Sequence, residues 1–141
     1  MFRFIASVFI VVLASLFQLS NYAFIGDIRP DIALALLIVL SLVYTSWTER
    51  ALLIFTSAVI LKFGSDFDLQ NAVFIISSIL SMGAIDKLPF HKLTNAILVL
   101  LISTLAINLV RFDLTVFAAE AFYNLALFLL FFAIQRLWQE R

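Results

Sequence analysis

Long apolar stretches alternate with short charged ones along the whole chain. Six apolar runs cover residues 4–19, 32–47, 51–61, 71–85, 93–110 and 114–137. Between them lie Asp27, Arg29, Pro30 and Asp31, then Glu49 and Arg50, then Lys62, Gly64, Asp66 and Asp68, then Asp86, Lys87 and Pro89, and finally Arg111 and Asp113. The runs are apolar on every side, whereas strands of a membrane barrel alternate apolar and polar residues. A backbone in hydrocarbon must pair its own polar groups, which a helix does within one segment. The pattern therefore predicts six helices. Crossing a bilayer takes roughly 20 helical residues. The fifth and sixth runs approach or exceed that length, and the first, second and fourth fall somewhat short. The third is marginal, and a snorkelling Lys62 extends it to about Gly64. The third and fourth runs have an alternative as a re-entrant hairpin shielded from lipid. Arg3 ahead of the first run is also what a signal sequence shows. No small-x-small cleavage site follows Leu19, so an uncleaved first helix is expected.

Composition turns helices into membrane helices. Of 141 residues, 65% are hydrophobic and 13% charged, with a mean hydropathy of +1.15. Globular chains are about 45–50% apolar and about 25% charged. Too little polar surface remains to cover a soluble particle. The expectation is an all-α, polytopic membrane helix bundle of about six spans, forming one domain over residues 1–141. Nine Lys and Arg against nine Asp and Glu leave no net charge, so nucleic-acid binding has no electrostatic basis. Cysteine is absent and His91 is the single histidine, which excludes disulfides, thiolate chemistry and a multi-histidine metal site. No cofactor is expected.

Loop charges set the orientation. With a cytoplasmic N-terminus, Arg3, Arg50, Lys87, Lys92, Arg136 and Arg141 lie inside, and Arg29, Lys62 and Arg111 outside. Six against three predicts both termini in the cytoplasm. Trp47 and Trp138 then mark the inner interface and Tyr22 the outer one.

A few polar residues interrupt the apolar background. Glu120 lies about 9 Å along the last helix. Asn124 shares its face one turn on, and Asn108 ends the fifth helix at a comparable height. An intramembrane polar cluster of Asn108, Glu120 and Asn124 is expected. It reads as a proton or ligand site, or, by preference, as hydrogen-bonded helix packing. Arg29, Pro30 and Asp31 read as a helix start, with proline in the first turn and an acid at the positive end of the dipole. Asp66 and Asp68 lack the further ligands of a calcium loop and read as a solvated turn. The inner loop bearing Lys87, Phe90, His91 and Lys92 is the candidate contact for a cytoplasmic protein or anionic lipid. Ser57, Ser77, Ser78, Ser81, Ser103 and Thr104 suit close helix approach. No serine-hydrolase elbow, His-Glu-x-x-His or phosphate loop is present, and an enzyme is not expected. Phe128, Phe131 and Phe132 are expected on the lipid-facing exterior of the last helix.

Three features together resemble the rod shape-determining protein MreD family. One is Arg29-Pro30-Asp31 leading into the run from Ile32 to Leu40. The second is Tyr44 and Glu49-Arg50-Ala51 leading into a third helix that ends in Lys62-Phe63-Gly64-Ser65-Asp66-Phe67-Asp68, where Asp66 or Asp68 takes the family's acidic place. The third is Asn124 ahead of an apolar run closed by Arg136. The resemblance implies a non-catalytic inner-membrane scaffold of the bacterial cell-elongation machinery. Its implied partners are MreC, the actin-like MreB, and RodA with its transpeptidase. The implied fold is similar to that of the substrate-binding subunits of energy-coupling-factor vitamin transporters, and such a subunit is the alternative function. An accessory subunit of another membrane complex is a third.

Overall fold

The structure, a computed structural model, describes residues 2–20, 28, 30–62, 69–109 and 113–139. Six helices account for nearly all of them: α1 (Phe2–Leu19), α2 (Ile32–Ser41), α3 (Trp47–Lys62), α4 (Leu69–Ile85), α5 (Lys92–Asn108) and α6 (Leu114–Gln139). Among the described residues no strand forms, and the architecture is all-α. Side-chain bonds align the elements head to tail. Tyr44, just after α2, reaches Arg3 and Ser7 at the start of α1, while Gln18 near the end of α1 meets Asp31 at the start of α2. Asn108 at the end of α5 meets Glu120 near the start of α6. The bundle thus has two ends. One carries the start of α1, the α2–α3 and α4–α5 turns and the last turn of α6. The other carries the start of α2, the end of α5 and the start of α6.

α2 is the axle of the fold. It packs against all five other helices, and each of its ten residues is buried. The other five present large apolar side chains outward: Phe9 and Leu13 on α1, Phe55 on α3, Leu80 on α4, Ile102 on α5 and Phe122 on α6 are all exposed. Polar side chains do the reverse. Ser7, Ser15, Ser57, Ser77, Ser81, Ser103 and Thr104 are buried between helices, and the Ser15 and Ser57 hydroxyls bond to each other from α1 to α3.

Two expectations need correction. The second apolar run, 32–47, is not one helix. α2 stops at Ser41, five residues form a turn, and Trp47 opens α3. Glu49 and Arg50 therefore lie in the first turn of α3, not in a loop. At ten residues α2 is about 15 Å long, half of the roughly 30 Å hydrocarbon core. Among the described residues only α6 carries a segment, Leu114–Trp138, long and apolar enough to cross a membrane alone. The second correction concerns the aromatic face of α6. Phe128 is fully buried and stacks on half-buried Phe132, with ring centroids 6.2 Å apart. Phe128 follows Asn124 by one turn, and that stripe faces inward.

Candidate functional site

A buried helix has a problem at each end. Its first N–H groups and last carbonyls lack intrahelical partners, and unpaired polar groups in an apolar interior cost free energy. At both ends of α2 distant side chains help to solve it.

At the N-terminal end, Asp31 is the cap. Its Oδ1 accepts the Leu34 N–H at 3.0 Å and the Gln18 amide at 3.1 Å. The Gln18 carbonyl oxygen accepts the Ala33 N–H at 2.8 Å. Asn124 of α6 accepts the N–H of Asp31 itself at 2.7 Å and donates to the Thr104 hydroxyl at 3.0 Å. Thr104 in turn passes its hydroxyl hydrogen to the Leu100 carbonyl. Asn108, one turn beyond Thr104, donates to the Thr104 carbonyl and to Glu120 Oε2 at 2.6 Å. Glu120 is half-buried. The result is a continuous polar chain across α1, α2, α5 and α6. The negative carboxylate of Asp31 sits where the helix dipole is positive.

At the C-terminal end the following turn takes the Val39 and Leu40 carbonyls, the Ser41 hydroxyl takes that of Ile38, and Arg50 takes that of Ser41. Arg50 is 1% exposed. Its Nε donates to the Tyr44 carbonyl at 2.6 Å and its Nη2 to the Ser41 carbonyl at 2.9 Å. Nη1 donates to the Met82 carbonyl at 2.8 Å and to Asp86 Oδ2 at 2.6 Å. A planar guanidinium with five donors suits this task, and a lysine would not. The positive charge stands at the negative end of the α2 dipole. The Trp47 ring lies 5.9 Å from the guanidinium. That ring also approaches Gly83, where an added Cβ would stand 3.4 Å from the indole.

The α4–α5 turn, residues 86–91, is tied down by the same residues. Asp86 is bonded to Arg50. Asn95, buried on α5, donates to the carbonyls of Ile85 and Leu88, both at 3.0 Å. His91 caps α5 by accepting the Leu93 N–H. Lys87, Phe90, His91 and Lys92 are all exposed. Asp113 performs the same capping role for α6 in the open. Bonds from the Thr115 hydroxyl and from the N–H groups of Thr115 and Val116 hold its carboxyl below the ordinary carboxylate range.

The structure brings Asn108 and Glu120 into direct contact and links Asn124 to them through Thr104. It adds Gln18 and Asp31, which the sequence reading did not place in the cluster. Asp31 is a helix cap, as its position suggests, and Pro30 before it is buried. Arg50, read as a loop charge, is buried and makes four hydrogen bonds at the C-terminal end of α2. Nothing local in the sequence distinguishes it from a loop arginine. Arg29, Asp66 and Asp68 lie outside the described residues. Among the described residues no group of three His, Asp or Glu side chains converges as a metal site requires. No family model, curated protein or solved structure matches the chain.

Proposed function

We propose that this chain is a multi-pass membrane bundle acting as a non-catalytic scaffold, in the manner the MreD resemblance implies for the bacterial inner membrane. One observation carries the reading: small and amide polar side chains are buried between helices, several of them bonding helix to helix or holding the ends of α2, while large apolar side chains cover the outside of the other helices. That polarity suits hydrocarbon as solvent. Helices of 16–18 residues, such as α1, α3, α4 and α5, span about 24–27 Å. A slightly thinned bilayer accommodates them. α2 does not span by itself and is carried inside the ring. The start of α1 and the end of α6 share one end, which suits two cytoplasmic termini. The apolar exterior is then the surface offered to helices of MreC-like and RodA-like partners.

The polar chain at the start of α2 also supports the rival reading, a ligand-binding transporter subunit, because convergent polar groups are what such a site needs. Their bonds to one another favour packing. Depletion separates the two. Rod-shaped cells that round up and widen support the scaffold. Unchanged shape with lost growth on a limiting vitamin overturns it.

A further inference from the structure

We propose that the bundle end bearing the α4–α5 turn binds the phosphates of anionic phospholipid head groups. The inference rests on the membrane reading above and extends it to a specific lipid contact.

Charge placement is the first support. The chain has no net charge, yet among the described residues the charges are sorted. Arg3, Arg50, Lys87, Lys92 and Arg136 stand at this end, against Glu49 and Asp86. Arg50 and Asp86 neutralise each other. Arg3, Lys87 and Lys92 are exposed. At the opposite end stand Asp31, Asp113 and Glu120, with Lys62 closing α3. A surface of one sign attracts counter-charged lipid.

Height is the second. Residues 86–91 join two helices and are held down by Asp86 on Arg50 and by Asn95 on the Ile85 and Leu88 carbonyls. A turn so short and so anchored keeps Lys87 and Lys92 level with the helix ends. They stay at the depth of head groups and do not project toward a filament in the cytoplasm. Lys92 also opens α5, where the dipole adds positive potential.

The third is aromatic. Trp47 is seated against Gly83 and Arg50, within one turn of Asp86. Trp47, Phe90 and Trp138 are exposed at the same end. Indole rings favour the boundary between head groups and acyl chains, which puts the exposed cations of the same end at the level of phosphate.

The test uses the full chain in mild detergent, titrated with phosphatidylglycerol or phosphatidylcholine, with retained lipid counted by native mass spectrometry. Phosphatidylglycerol should be retained preferentially, and high salt should erode the preference. Lys87→Gln with Lys92→Gln should reduce it by about five-fold per lysine, while Lys62→Gln at the other end should leave it intact. Equal retention of both lipids by the unsubstituted chain, or a preference that survives the double substitution, overturns the proposal. So does a cytoplasmic filament that binds through the two lysines with no lipid preference. A chain that alkaline extraction removes from membranes defeats the membrane reading itself. An integral chain with no lipid preference defeats this inference alone.

Discussion

α2 and α6 are built from much the same residues and have opposite fates. α2 reads Ile-Ala-Leu-Ala-Leu-Leu-Ile-Val-Leu-Ser and is buried throughout. α6 has 26 residues, mostly Leu, Ala and Phe, and of its described side chains only Asn124 and Phe128 are buried. α2 is the more apolar of the two, but the rim is apolar as well, and length and the chemistry of the ends complete the separation. α2 is half as long as a spanning helix needs to be, and both its termini are closed in part by side chains from other elements. α6 is long enough to leave its ends near water, where Asp113 alone caps the first turn. A short helix can occupy the centre only if something else satisfies its termini.

The sharpest way to break this contrast is at Arg50. Arg50→Ala unpairs the carbonyls of Ser41, Tyr44 and Met82 and releases Asp86. Removing one member of a buried ion pair costs about 3–5 kcal/mol. Asp86 is 42% exposed, so its release is screened and the lower part of that range applies. Arg50→Lys should recover only part, because an ammonium cannot fork to several carbonyls. Unfolding followed in detergent and denaturant reads both variants. Stability unchanged in Arg50→Ala would mean that the α2 terminus needs no cap.

Packing gives the next effect. Leu37 is 1% exposed in the centre and Leu129 is 47% exposed on α6. Leu37→Ala leaves a cavity and should cost about 2–4 kcal/mol. Leu129→Ala should cost less than about 0.5 kcal/mol, since lipid or detergent fills the space as well as leucine does. The same unfolding assay compares them. Equal losses would contradict the assignment of α2 to the interior.

A smaller effect than at Arg50 or Leu37 is expected at the other cap. Asp31→Ala should destabilise by about 0.5–2 kcal/mol, and Asp31→Asn by much less, since asparagine caps nearly as well. Hydrogen exchange at the Leu34 amide locates the loss. If Asp31→Asn is as damaging as Asp31→Ala, the carboxylate charge has a role beyond capping.

Legibility in the sequence follows the range of each interaction. The six apolar runs and their helical nature are local properties, and four of the six helices, α3 to α6, begin and end within a few residues of the charges that bound them. The break at residues 42–46 has a local sign, since Ser46 with Glu49 three residues on has the spacing of a helix start. What is not local is the bond by which Arg50, nine residues beyond Ser41, takes the Ser41 carbonyl. The contact between Asn108 and Glu120 was readable because a short connection folds α5 back on α6. The contact of Asn124 with Asp31, across 93 residues, was not. Gln18 escaped notice because an uncharged polar residue near a helix end looks like ordinary interface.

The sequence by itself determined that the chain forms apolar helices, where charged residues interrupt them, and that neither cysteine nor a histidine cluster is available for chemistry. These follow from composition and from periodicities a few residues long. Only the tertiary structure decided which helix lies at the centre, that Arg50 is buried, and that Asp31, Asn124, Thr104, Asn108 and Glu120 form one chain. The physical reason is that an apolar side chain is accommodated by lipid as well as by protein, so the greater apolarity of α2 does not by itself place it inside. The bonds of Arg50 and Asn124 reach carbonyl and N–H groups on other helices. Where those groups stand is settled only once the helices have packed.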